Sequence, residues 1–280
     1  MKNLLIMAGG NSSRMKKSIE KSTLSKKERE FVRKVHKSLI PIGKEKNPLL
    51  YYLISNAVNA GISDVYLITG PKNQLFKDIL GYSNKNKIFA GAKVHFAIQY
   101  LKDGYEKPLG TADAIEQTLN QYPELLQTTF IVCNGDNLYS TGAFKQLTKQ
   151  RDVPHALISY ARSALKYKNN RIQKFAIMEI NDLGYLSQII EKPNSKIIDN
   201  YRDSSGEIRV SMNIFSFYGN LIYPYLKKCP IHPQRKEKEL PEAIKLLNEN
   251  NPNQIKCYKR EEHLLDLTSA EDLNNFTEFL

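Results

Sequence analysis

The sequence predicts an α/β fold, a doubly wound and mostly parallel sheet that gives way to antiparallel β structure in the C-terminal half. Three features of the chain predict it. A short apolar run at 4–7 enters a Gly9-Gly10 pair followed by small polar residues, which reads as a buried strand ending in a tight loop. Through about residue 150, further short apolar runs alternate with helical patterns at the spacing of βαβ units, so a parallel sheet with right-handed crossovers is the economical arrangement. Between 173 and 191, two runs joined at Asn181-Asp182-Leu183-Gly184 form a hairpin instead, and the alternation ends there.

Composition bounds what such a fold can do. With 280 residues, 41% hydrophobic and 25% charged, the chain is of ordinary globular make-up and long enough for a large core, expected as one domain over 1–280 with halves 1–150 and 151–280. No run of eighteen apolar residues exists and Gly9-Gly10 interrupts the only apolar stretch near the start, so neither a membrane span nor a signal peptide is expected and the protein is placed in the cytoplasm. Cys133, Cys229 and Cys257 are far apart and odd in number, which suggests neither a disulfide framework nor a zinc site. The 41 basic against 29 acidic residues give a formal charge of +12, which raises nucleic acid as a rival partner. Few interleaved aromatics and no nucleic-acid module argue against it, and favour a solvated basic face plus a site for an anionic substrate.

In chain order, the first loop comes first. Gly9 and Gly10 lack a Cβ, so the backbone there can take φ > 0 and approach a ligand closely with its N–H groups turned inward. Arg14 adds a fork-shaped cation suited to phosphate. The loop matches neither G-x-x-x-x-G-K-[ST] nor G-x-G-x-x-G, and an ordinary βα turn is the plain alternative. An insertion, 16–36, follows. In it Ser25 and Glu28 have capping-box spacing, while Leu24, Phe31, Val32 and Val35 share one helical face opposite Lys and Arg. It is read as a surface helix docked by that stripe, or as a lid over phosphates. Lys37 then precedes a second short apolar run.

A helix is predicted over 48–60, started by Pro48 and closed by Gly61, then a strand Asp64–Thr69, a helix 74–80 and a strand 93–98. Gln99 follows that strand, and the loop 107–111 leads into a helix over 112–119. The run 128–133 is the strongest central strand and ends in Asn134-Gly135-Asp136, a carboxylate after a flexible glycine that fits a helix cap, a turn or a ligand. Past Gly142 come a helix and a strand His155–Ala161, then hairpin strands 173–180 and 185–191 stopped by Pro193. Asn213 falls in a further strand; 239–248 is a helix and 254–258 a strand. Asp266 follows, with Thr268, Ser269 and Glu271 expected to cap a last helix ending near Phe279. His36, His95, His155, His232 and His263 share no spacing and read as structural or incidental.

Taken together and in order, Gly9-Gly10 to Arg14, Lys37 to Ile42, the Pro108-Leu109-Gly110-Thr111-Ala112-Asp113 segment, Asn134-Gly135-Asp136, Glu191-Lys192-Pro193 and the Leu265 to Leu273 segment resemble the sugar-nucleotide pyrophosphorylases over nearly the whole chain. The resemblance implies a Rossmann-like nucleotidyltransferase that joins a nucleoside triphosphate to a sugar 1-phosphate with Mg²⁺. It implies that Arg14 and Lys37 hold the triphosphate, that Lys192 holds the sugar phosphate, and that Asp136 and Asp266 bind the metal. Ala8, Gly9, Gly10, Gln99, Gly110 and Thr111 would then contact the nucleotide, and Glu191, Asn213 and Ala176 the sugar. The chain departs from the family in having Ser12-Ser13 for Gly-Thr, a longer gap between Arg14 and Lys37, Ala176 where relatives carry Gly, and Leu267-Thr268 after the second Asp. A phosphocholine cytidylyltransferase-like enzyme and a non-catalytic nucleotide-sugar-binding subunit are the alternatives, and a homo-oligomer stays open. A β-helical acyltransferase tail is not expected.

Overall fold

A computed structural model describes every residue except Met1, Asn11, Thr23, 81–87, Lys192, 195–197 and Leu280. The fold is the α/β one predicted: a mostly parallel central sheet with helices around it and two small antiparallel pairs, Leu265–Asp266 with Asn137–Leu138 and Pro41–Ile42 with Asn47–Pro48. The chain forms two compact units, one made of Lys2–Ile98, Cys133–Phe144 and Leu264–Leu280, the other of Gln99–Val132 and Lys145–His263.

In the first unit, Asn3–Met7, Asp64–Thr69 and Ala92–Ile98 lie side by side in parallel, with Leu4 opposite Val65 and Val65 opposite Val94. Leu4, Leu5, Ile6, Val65, Leu67 and Ile68 are all buried, as befits strands covered on both faces. The short antiparallel strand Ile88–Phe89 closes the edge. The helix predicted from Pro48 is Leu49–Val58, with Pro48 as its N-cap; Leu49, Leu50, Leu53, Ile54 and Ala57 face the core, and Gly61 beyond its end is left-handed at φ 92. In the insertion, Lys26–Lys34 is helical and Ser25 forms the expected capping box with Glu28. The apolar stripe is narrower than predicted. Val32 and Val35 are buried, but Phe31 is 40% exposed.

The second unit is built on Arg209–Tyr218, which runs antiparallel to both His155–Ala161 and Ile177–Ile180. Leu186–Ile190 pairs with Ile177–Ile180 as the predicted hairpin, and Ile255–Arg260 lies parallel to His155–Ala161. The helices Thr111–Gln121, Gly219–Lys228 and Leu240–Asn250 also belong to this unit.

Three local expectations are corrected. The first hairpin strand starts at Ile177, not at 173, because Asn169–Ile172 is helical and Lys174 and Phe175 donate back to Arg171 and Ile172 in a closing turn. Gly219–Lys228 and Ser13–Ser18 are helices that the sequence did not signal. Before the last helix, Asp272–Phe279, the Asp272 carboxylate accepts from the backbone N–H of Thr268 and Ser269, at 2.9 and 2.7 Å, a contact that the expected capping by Thr268, Ser269 and Glu271 did not include. Among the described residues, no helix is long and apolar enough to cross a membrane.

Candidate functional site

The first unit assembles four of the predicted site elements. Ala8 continues the ladder beyond Asn3–Met7 by donating to the Ile68 carbonyl at 2.8 Å, and the chain then leaves the sheet at Gly9 and Gly10. Neither glycine is left-handed, contrary to expectation; that conformation falls on Ser12, at φ 52, where the chain turns into Ser13–Ser18. The Gly10 Cβ position meets no atom within 4 Å, so its missing side chain leaves open space and relieves no contact within the protein. Arg14 stands exposed on the helix that follows.

Ser12 Oγ accepts from the backbone N–H of Lys37 at 3.2 Å, which ties the loop to the second predicted cation across the whole insertion. Lys37 opens a single 3₁₀ turn, Lys37–Leu39, capped by His36, whose Nδ1 accepts from the Ser38 N–H at 3.2 Å. Burial pushes the His36 imidazole down to about 4, against the upward pull of Asp136, with Lys37 and Lys16 adding to the fall. A neutral ring is what an accepting Nδ1 requires.

The Lys37 ammonium is ion-paired with Asp136. Asp136 reaches it because Thr129–Asn134 ends in Gly135, whose N–H donates to the Met7 carbonyl at 3.0 Å. A Cβ on Gly135 would lie 3.1 Å from both Ile6 Cγ2 and Met7 O, so this close approach of two strand ends favours a glycine. Asp266 is held close in register. It is the partner of Asn137 in the short antiparallel pair, and Leu267 donates to the Asp136 carbonyl at 2.8 Å. The Thr268 hydroxyl lies 3.0 Å from each Asp266 carboxylate oxygen.

Asp136 and Asp266 are therefore one step apart along paired segments, and each offers hard carboxylate oxygens. That donor set fits Mg²⁺, which takes one or two carboxylates and completes its shell from water and phosphate. The described residues hold no group of three His, Cys, Asp or Glu that would suit a metal bound by protein alone. Lys37 supplies the positive charge beside Asp136 in this structure.

The second unit holds the other predicted residues. Gln99 is only 6% exposed, and its Nε2 donates to the Gly110 carbonyl at 2.9 Å and to Asp113 Oδ2 at 2.8 Å. Gly110 is left-handed at φ 96, and a Cβ there would lie 2.7 Å from the Lys238 carbonyl, so both backbone and space demand glycine. The Thr111 hydroxyl accepts from the Leu240 N–H at 2.8 Å, which anchors the loop to the start of Leu240–Asn250.

Asn213 adopts φ 57 inside Arg209–Tyr218, where the pairing register shifts between Ser211 and Phe215. A left-handed non-glycine within a strand is strained, and such residues collect at functional sites. Ala176 is buried nearby, its carbonyl accepting from the Ser211 N–H at 2.8 Å. Glu191 is exposed at the rim of a cavity of about 530 Å³ walled by the 230–242 segment, which includes His232, Arg235 and Glu237; neither Asn213 nor Ala176 lines it. Lys192 lies outside the described residues. Four residues that matter locally were not singled out as candidates: Ser12, His36, Asp113 and Thr268. Only His36 and Thr268 carried a signal, by flanking Lys37 and Asp266 in sequence.

The nucleotidyl transferase family model matches residues 4–280. The chain is 26% identical over 190 residues to a glucose-1-phosphate thymidylyltransferase of Neisseria meningitidis, covering 68% of this chain and 55% of that protein. It is 25% identical over 194 residues to glucose-1-phosphate adenylyltransferase 1 of Vibrio cholerae, covering 68% and 43%. The chain thus spans about half the length of the curated relatives it matches. Among solved structures, it resembles a UDP-glucose pyrophosphorylase complexed with UDP-glucose, with a TM-score of 0.72 over 100% of this chain and 98% of the other. At 18% identity, that likeness is one of fold.

Proposed function

This chain belongs to the nucleotidyl transferase family, and from that premise we propose that it transfers a nucleotidyl group from a nucleoside triphosphate to a sugar 1-phosphate, giving a nucleoside diphosphate sugar and pyrophosphate. The observation that carries the reading is the Lys37–Asp136 ion pair, tied through Ser12 to the loop that begins at Gly9-Gly10, with Asp266 in the segment paired beside Asp136.

No base is needed. A phosphate monoester has its second pKa near 6 and is already largely dianionic at neutral pH. One of its oxygens attacks the α-phosphorus, the new O–P bond forms as the bond to the β-phosphate breaks, and pyrophosphate leaves with that electron pair. Catalysis then reduces to positioning and to balancing charge on the phosphates. Arg14 and Lys37 hold the triphosphate and Lys192 the incoming sugar phosphate. Gly110 lets the flat base approach the backbone, and Asn213 and Glu191 bind sugar hydroxyls. Asp136 and Asp266 would hold Mg²⁺, which when bound supplies charge neutralisation at the reacting phosphates. Both curated relatives are named for glucose 1-phosphate but for different bases, which supports a hexose 1-phosphate as acceptor.

The test is a panel of nucleoside triphosphates against sugar 1-phosphates with Mg²⁺, read by pyrophosphate release and product mass. One pair is expected to turn over. Asp136→Asn and Asp266→Asn should each lower kcat at least ~10²-fold, the scale of one lost electrostatic contact, with the circular dichroism spectrum unchanged. An inactive panel defeats the function, and full activity in both variants defeats the metal assignment.

A further inference from the structure

We propose that Lys37 competes with a divalent cation for Asp136: its ammonium holds the carboxylate until a polyphosphate draws it off, so that the metal binds together with the polyphosphate and only weakly before it. The inference rests on the nucleotidyl-transfer reading and deepens it, from which groups hold the metal to when they can hold it.

The contact is direct. Lys37 Nζ is ion-paired with Asp136 Oδ2, and only 16% of either side chain is exposed. Charges so withdrawn from bulk water attract more strongly than a surface pair, and each of them needs a partner. Asp136 and Asp266 sit one step apart on paired segments, so two negative charges lie close together and the ammonium offsets one of them. Asp266 has a partner of another kind, the Thr268 hydroxyl at 3.0 Å from each of its oxygens, which brings no charge. An ammonium and a divalent cation at one carboxylate repel each other. The affinity of Asp136 for a metal alone is therefore reduced in proportion to the time Lys37 spends there.

Lys37 can change partner without moving its backbone. Its N–H is bonded to Ser12 Oγ at 3.2 Å and the residue opens the 3₁₀ turn Lys37–Leu39, which anchors the main chain to the loop after the first strand. From that anchor a flexible four-carbon stem carries an ammonium with three rotatable donors. The same loop contains Gly10, where a Cβ would meet no atom within 4 Å, so there is room beside it for a phosphate. All of these residues belong to the first unit. A triphosphate reverses the balance at Asp136, because it offers the ammonium anionic oxygens and offers the metal further hard ligands.

The experiment first measures Mn²⁺ binding by electron paramagnetic resonance, with no nucleotide present, in the whole chain and its variants. Lys37→Gln should bind Mn²⁺ at least about 10-fold tighter than wild type, the gain expected if the ammonium is away about a tenth of the time or less. Asp136→Asn in the Lys37→Gln background should abolish that gain. Lys37→Arg keeps a cation in place and should stay within about 3-fold of wild type. Lys16 is an exposed cation near enough to act on His36, beside the pair, and Lys16→Gln should likewise stay within about 3-fold. The converse is read by calorimetry with inorganic tripolyphosphate in a metal chelator. There Asp136→Asn frees the ammonium and should bind tighter than wild type by more than Asp266→Asn does, while Lys37→Gln should bind more weakly. A merely structural role for Lys37 would alter the unfolding midpoint and leave Mn²⁺ affinity in place. Equal Mn²⁺ affinity in wild type and Lys37→Gln, an equal gain in Lys16→Gln, or no gain in tripolyphosphate binding by Asp136→Asn would each overturn the proposal. No Mn²⁺ binding by any variant would overturn it together with the metal assignment. The expected binding pattern without turnover of any sugar 1-phosphate would defeat the transfer reading alone and leave the exchange standing.

Discussion

His155 opens the buried strand His155–Ala161 with 1% of its surface exposed, its Nδ1 accepting from the Tyr218 N–H and its ring set edge-on to Phe217. Burial pushes this imidazole down to about 3, and the Arg151 cation adds to the fall. The folded chain thus keeps His155 neutral where the unfolded chain, with an ordinary value near 6.5, takes up a proton. Its contribution to stability is complete above about pH 6.5 and is lost progressively as pH falls toward 3. Over the first pH unit of that window the loss is ~1 kcal/mol, because the unfolded imidazole is already half protonated at its upper edge. Denaturant unfolding at pH 6.5 and 5.5 should show wild type losing stability, with His36 contributing in the same direction. His155→Gln should have the shallower slope by about one proton. Equal slopes would mean that His155 is already protonated in the folded chain or that its burial has no thermodynamic consequence.

At the scale of elements, the insertion helix Lys26–Lys34 is the most dependent on its ends. Nine residues are too few for an isolated helix in water, and only Val32 within it is buried, so the capping box carries an unusual share of its stability. Ser25→Ala should cost ~0.5–2 kcal/mol locally. Hydrogen exchange should therefore accelerate over 26–34 while the global unfolding midpoint stays in place, and unaltered exchange there would show that docking through Val32 and Val35 suffices. This box was legible because its signal is local: two residues three apart. The strands were legible because burial on both faces leaves an unbroken apolar run, as in Asp64–Thr69. Elements went unread where tertiary contacts override local rules. Gly219–Lys228 starts on a glycine and contains Pro224, both of which read as breaks, yet a Cβ on Gly219 would lie 2.2 Å from the Leu125 carbonyl, so packing demands that residue. Ser13–Ser18 is short and basic and carries no apolar period. In the site, residue types at strand ends could be read, but the left-handed turn at Asn213 carries no local signal, Gln99 is oriented by Gly110 and Asp113 in the next loop and helix, and Lys37 meets Asp136 across 99 residues.

For the whole molecule the dominant electrostatic fact is the charge of +12, and the substrates proposed for it are polyanions. Part of that charge has a defined attachment. The insertion leaves the chain just after Arg14 and returns just before Lys37, and Ser12 and Lys37 are bonded, so it begins and ends at the loop that follows the first strand. Lys26, Lys27 and Lys34 are exposed and Arg29 is half-buried, whereas Arg33 is already paired with Glu20. Unpaired surface cations near a site raise the association rate of an anionic ligand, and salt screens them over ~8 Å at physiological strength. Neutralising Lys26, Lys27, Arg29 and Lys34 together should therefore lower kcat/KM for the triphosphate more than kcat, and flatten its dependence on salt. A helix that serves only for packing or subunit contact predicts unchanged kinetics with altered stability or size, and the exposed Phe31 is the residue such a contact would use. Measuring kcat/KM at low and physiological salt, alongside a sizing run, separates the two, because screening acts on charge steering and leaves an apolar contact in place. A salt slope equal to that of wild type would remove steering as the role of the insertion.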